Sequence, residues 1–188
     1  GVSWLAASLR AGISFSAADQ LYSRALLNRL DALFSVGLVH EDEEFTPRAI
    51  VAALTVYGVP SIQTYRRNER DGSITKSVNT RSSFKRCEGK LVVARNSLAD
   101  RRYSVNDEVR KLIDERAFSF ANMAFRAWAK DLADSKYEPV LGVLAQQIDY
   151  SRCRFSLRSI RALRNWFCMK LVGIIGVSRY IAFLRRLG

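Results

Sequence analysis

No acidic residue occurs from Tyr150 to Gly188, a stretch that holds Arg152, Arg154, Arg158, Arg161, Arg164, Lys170, Arg179, Arg185 and Arg186. A cationic run this dense repels itself, so its charge cannot drive a fold; it has to lie on a surface. The apolar residues between the cations say how. At about 100° per residue, Arg154, Arg158, Arg161 and Arg164 fall within one third of a helix surface. Phe155, Ile160, Ala162, Leu163, Trp166, Phe167 and Met169 fall mostly on the remainder. The spacing predicts an amphipathic helix with a cationic stripe, a surface that suits a polyanion. Gly173 and Gly176 predict a break, followed by a last helical piece carrying Tyr180, Ile181, Phe183 and Leu184.

The rest of the charge is not spread evenly. The formal net charge is +12, made of about −2 over residues 1–60, +7 over 61–102, −2 over 103–149 and +9 over 150–188. Two basic blocks therefore stand apart, separated by near-neutral sequence. Solubility alone would not segregate charge in this way. An apolar content of 48% over 188 residues is ample for one core and argues against global disorder. Cys87, Cys153 and Cys168 are odd in number and lack C-x-x-C spacing, which suggests free thiols in a reducing compartment. The opening residues have neither a basic start nor the long apolar run of a secretory leader. The most membrane-like stretch, Leu171 to Ser178, is far short of the ~20 residues a membrane span needs, so stable membrane insertion is not expected.

Along the chain the periodicity is mostly helical. Residues 3–11 form a short helix or arm anchored by Trp4 and Leu5. Ser16 caps a helix from Ala17 to Val36, ended at Gly37. His40-Glu41-Asp42-Glu43-Glu44 reads as an acidic loop. Thr46 and Pro47 then open a helix that carries Ile50, Val51, Ala53, Leu54 and Tyr57. Ile62 to Arg67 and Ser73 to Val78 read as two short strands around an Asp-Gly turn. Residues 79–90 are polar and basic with little periodicity, which predicts a loop, and Leu91 to Ala94 fits either strand or helix. Ser104 with Asp107 caps a long helix from Val105 to Ala133, and Pro139 begins another through Ile148. The expected fold class is mainly α, a helical domain with a small inserted basic β-hairpin at about residues 62–78. Its parts are an N-terminal arm (1–15), a helical core with the hairpin (16–150) and a basic C-terminal helical region (151–188).

Asp71-Gly72 followed by Glu88-Gly89-Lys90 resembles the metal-dependent PD-(D/E)xK nucleases, in which carboxylates hold Mg²⁺ and the Lys steadies charge. No hydrophobic strand leads into Glu88, and Asp71 serves the turn. Leu26 to Phe45 superficially resembles a recognition helix and wing, but a DNA-reading wing should not carry four acids. One histidine beside consecutive carboxylates makes no metal site, and no P-loop, nucleophile elbow or dinucleotide fingerprint is present. No catalytic residue, metal or cofactor is expected.

The basic blocks with interleaved aromatics carry the functional expectation. Arg and Lys neutralise phosphates, and exposed aromatics give bases a stacking surface. The candidate nucleic-acid-binding residues are Tyr65, Arg66, Arg67, Arg70, Lys76, Arg81, Lys85, Arg86, Arg101, Arg102, Arg154, Arg158, Arg161 and Arg164. Trp166 and Phe155 read as core, and Tyr103 as either core or stacking platform. The expected protein is a sequence-tolerant, single-stranded RNA-binding subunit that self-assembles on nucleic acid. It would be a nucleocapsid or coat-type protein of a virus, found in the virion and host cytoplasm. A mainly helical subunit with a β-hairpin resembles, in architecture, the coat subunits of flexible filamentous viruses. Alternatives are a cytoplasmic or nuclear module of a cellular ribonucleoprotein or transcription complex, a metal-dependent nuclease, and a membrane-surface helix at residues 155–187 that would bind anionic vesicles.

Overall fold

The computed structural model describes residues 1–30, 34–59, 79–132, 135–153 and 160–187. Among the described residues there are eight α-helices and no strand: α1 (Val2–Arg10), α2 (Arg24–Leu30), α3 (Glu41–Ala52), α4 (Thr80–Ala99), α5 (Asp107–Asp131), α6 (Glu138–Gln146), α7 (Ile160–Ile175) and α8 (Val177–Leu187). The mainly helical class is as expected. The hairpin expected at about 62–78 lies outside the described residues.

Helix α5 is the axis. Asn106 caps it by accepting from the Val109 N–H at 3.0 Å, two residues later than the expected cap Ser104. Val109, Leu112, Ile113, Ala117, Phe118, Phe120, Ala121, Ala124, Phe125 and Trp128 are all buried, so α5 is apolar around most of its circumference. A helix of that kind must be covered on several sides. Antiparallel α4 covers one side, with the Cys87 thiol 3.6 Å from the Ala124 carbonyl. Helix α7 also runs antiparallel, with the Asn122 amide donating to Asn165 at 2.8 Å inside the core. Helix α8 then returns, its Tyr180 ring edge-on to Phe125 at 5.9 Å. Arg185 of α8 pairs with Glu138 of α6. The turn between α7 and α8 is made by Gly176 at φ +80°, so the expected break and final helix are present.

Several expectations need correction. Residues 80–99 form one 20-residue helix, neither loop nor strand. Asn79 and Ser82 make a reciprocal capping box, and Phe84, Cys87, Leu91, Ala94 and Leu98 keep a three-four spacing that is buried throughout. The basic residues between them mask that spacing. The long helix expected from Ala17 to Val36 is replaced by a 3₁₀ turn at Ala17–Asp19 and the short α2, with residues 31–33 outside the description. The first residues form the short helix expected there, with Leu5 and Phe15 fully buried against Ile50, Tyr103, Val109 and Ile113.

The acidic loop is in fact the first turn of α3. Four carboxylates there favour the positive end of the helix dipole. Glu43 and Glu44 are turned inward. Glu43 pairs with Arg116 of α5 and accepts from Ser14 at 2.7 Å. Glu44 accepts from Ser35 at 2.7 Å and Asn96 at 2.6 Å. Thr46, expected as a cap, is buried inside α3, and Pro47 lies within the same helix.

Candidate nucleic-acid interface

The helix directions collect one end of the molecule from four elements. Helix α4 begins where α5 ends, because Phe84 stacks on Tyr137 at 4.2 Å. Helix α7 begins near the same level, since Asn165 meets Asn122 while Gly173, further along, lies by Tyr150. Helix α8 ends there, because Arg185 reaches Glu138. Residues 79 and 160, which follow the segment expected to form the hairpin and the start of the C-terminal basic block, therefore lie toward one end.

Of the candidate residues, Tyr65, Arg66, Arg67, Arg70, Lys76, Arg154 and Arg158 lie outside the described residues, and so does the side chain of Arg161. The structure brings Arg81, Lys85, Arg86 and Arg164 to the shared end. Arg81 and Arg164 are exposed. The Lys85 ammonium pairs with Glu88 at 2.7 Å and sits 5.5 Å over the Phe84 ring. Arg86 is half-buried and donates to the Ser83 hydroxyl at 3.1 Å. Arg101 and Arg102 do not join them. They follow the far end of α4, roughly 30 Å away at 1.5 Å per residue, and Arg102 is paired with Asp100 at 3.3 Å.

Sequence reasoning missed Arg126, Lys130 and Lys136. Arg126 and Lys130 are exposed, a turn apart near the end of α5, and Lys136 follows in the next turn, 5.4 Å over the Tyr137 ring. Arg126 and Arg164 both bear on the Tyr180 hydroxyl, whose pKa burial raises and these two cations lower. The three lie in a segment of negative formal charge, so block counting hid them. Part of that segment's acid is engaged inside the fold: Asp114 is buried between Arg110 and Arg152, and Glu138 accepts from both Trp128 and Arg185.

Other cations are structural. Arg152 donates to the Leu98 carbonyl at 2.6 Å and pairs with Asp114 at 3.3 Å. Arg110 closes the end of α4 by donating to the carbonyls of Ser97, Leu98 and Asp100. Tyr103 is fully buried and offers no stacking surface, while Trp166 packs half-buried on the main core. Glu88 and Lys90 sit on a helix, so the nuclease-like spacing lacks its strand. Burial pushes the Cys87 and Cys153 thiols up to about 11, which keeps both neutral. Among the described residues no three His, Cys, Asp or Glu side chains converge as a metal cluster. A cleft of about 280 Å³ lined by Glu44, Arg48, Asn96, Ser97, Asp100 and Tyr103 lies at the far end of α4, where Arg48 and Asn96 already face Glu44.

The arrangement that remains is a cationic end, built from exposed Arg81, Arg126, Lys130, Lys136 and Arg164 with half-buried Lys85 beside them, suited to phosphate contact. Compared with protein families, with curated proteins and with solved structures, the chain matches none.

Proposed function

We propose that the protein is a non-enzymatic, sequence-tolerant binder of single-stranded RNA that assembles on it as a nucleocapsid- or coat-type subunit of a virus. One observation carries the reading: exposed cations from α4, α5 and α7 converge on the end where both basic blocks join the helical core. Several Arg and Lys from different helices can follow a phosphate backbone without reading bases. Lys85 and Lys136 sit over the core stack of Phe84 on Tyr137, which holds both cations at the same end.

A second reading gains from a different observation. Glu43 and Glu44, the obvious acidic counter-surface for a neighbouring copy, are buried and paired within the chain. That favours a cellular ribonucleoprotein module of defined stoichiometry over a polymerising coat.

The test is fluorescence anisotropy on single-stranded RNAs of different sequence, with Arg126→Glu combined with Lys130→Glu. Binding should weaken alike on all sequences, and the salt slope should fall by about 0.7 for each lost phosphate contact. Unchanged binding and slope would remove the RNA reading from this end. A sizing column run before and after RNase separates the two roles. A large, RNase-sensitive species supports the coat, and a small complex of fixed stoichiometry supports the module.

A further inference from the structure

The outer side of the α7–α8 hairpin has a character the RNA reading does not use. On α7, Leu163, Phe167, Lys170 and Ile174 follow one another at i, i+4, i+7 and i+11, within about 60° of the helix circumference. All four are exposed, Phe167 by 60% and Ile174 by 80%. The opposite face of α7 holds Asn165, Met169 and Val172, which are buried. On α8, Phe183 and Leu187 lie three and seven residues beyond Tyr180, which bears on Cys168 of α7. They therefore line the α8 edge that borders α7, and both are exposed. Arg164, Arg179 and Arg186 are exposed on the same two helices. No acid occurs on either helix.

We infer that this face docks in the plane of an anionic lipid bilayer surface. The chemistry needs two things of its partner: an apolar layer for Phe167, Ile174 and Leu187, and negative charge directly above it for Arg164, Lys170 and Arg179. An anionic bilayer surface supplies both at the right depth. Lys170, central in the apolar stripe, can bury its stem and lift its ammonium to the headgroups. A polynucleotide would satisfy the cations and the ring of Phe167 but leave the aliphatic Ile174 and Leu187 in water. A second copy in a two-fold contact would set Arg164 and Lys170 against identical cations. No described helix is long and apolar enough to cross a membrane, so the hairpin lies on the surface rather than spanning it. The inference does not depend on RNA binding.

The experiment is co-sedimentation of the full chain with vesicles of phosphatidylcholine alone and of equal parts phosphatidylcholine and phosphatidylserine. Wild type should pellet with the anionic vesicles and not with the neutral ones, and salt should weaken the binding. Phe167→Ser with Ile174→Ser should lower partitioning at least about tenfold while leaving RNA affinity unchanged. Arg126→Glu with Lys130→Glu should do the reverse. Both positions of the serine variant are exposed, so an unchanged helical circular dichroism spectrum and melting temperature mark it as folded. Failure of wild type to bind anionic vesicles would overturn the inference. So would equal binding by the serine variant. If that variant instead loses RNA affinity or self-association while keeping its vesicle binding, the face belongs to nucleic acid or to a second copy.

Discussion

Asp114 shows how much of this chain's charge is internal. It is buried, and it holds Arg110 on its own helix and Arg152 from the C-terminal block. Asp114→Ala would leave two guanidinium groups facing each other inside the fold. Breaking a buried pair in this way costs about 3–5 kcal/mol, read as a fall in the urea midpoint. His40 gives a pH dependence. It sits at φ +73°, and its Nε2 is buried with no hydrogen-bond partner among the described residues. Burial first, and then Lys90, lower its pKa, with Glu43 and Glu41 opposing and Arg86 adding to the fall. The folded state therefore takes up this proton less readily than the unfolded chain. Stability should drop as pH falls below the ordinary histidine value of about 6.5. His40→Asn keeps a residue that tolerates the left-handed backbone and should flatten denaturation midpoints measured between about pH 7 and 5.5. Asp42, whose carboxyl is raised by burial, acts in the opposite direction at lower pH. None of this was legible in the sequence: consecutive carboxylates read as a solvated loop, because their burial depends on Arg116 and Asn96, 73 and 52 residues away.

Two glycines on helices should respond in opposite ways. A Cβ at Gly89 of α4 would collide with the backbone carbonyl of Val39, whereas one at Gly173 of α7 would meet only the Tyr150 Cβ at 3.9 Å. Gly89→Ala should therefore destabilise by about 1–3 kcal/mol through overpacking, despite the better helix propensity of Ala. Gly173→Ala should stabilise by about 0.5 kcal/mol. Thermal melts of the two variants check both signs. The contrast also marks what periodicity reveals. Helix α5 was legible to within a turn, since its apolar residues recur without interruption. The break at Gly176 was legible from the glycine itself. Helix α4 was missed because Lys85, Arg86, Glu88 and Lys90 fill the positions between Phe84, Cys87 and Leu91, and only packing against α5 makes the buried residues the ones that matter.

At the scale of the whole molecule, α5 is wrapped by α1, α4, α7 and α8, while among the described residues α2 packs chiefly on α3. Amide hydrogen exchange should find the slowest protons from about Leu112 to Phe125 and the fastest helical ones in α2, and equal rates in the two would contradict this architecture. The sequence by itself determined the helical class, the free cysteines, the two cationic blocks and the break before a final helical piece, because each rests on residue type and on spacing within one element. Only the tertiary structure decided which charges face solvent. It turned Glu43, Glu44, Asp114, Arg110 and Arg152 inward, set Arg101 and Arg102 apart, and placed Arg126 near Arg164 beside Tyr180. The reason is that exposure depends on which faces of different helices meet, and those meetings join residues far apart in the chain.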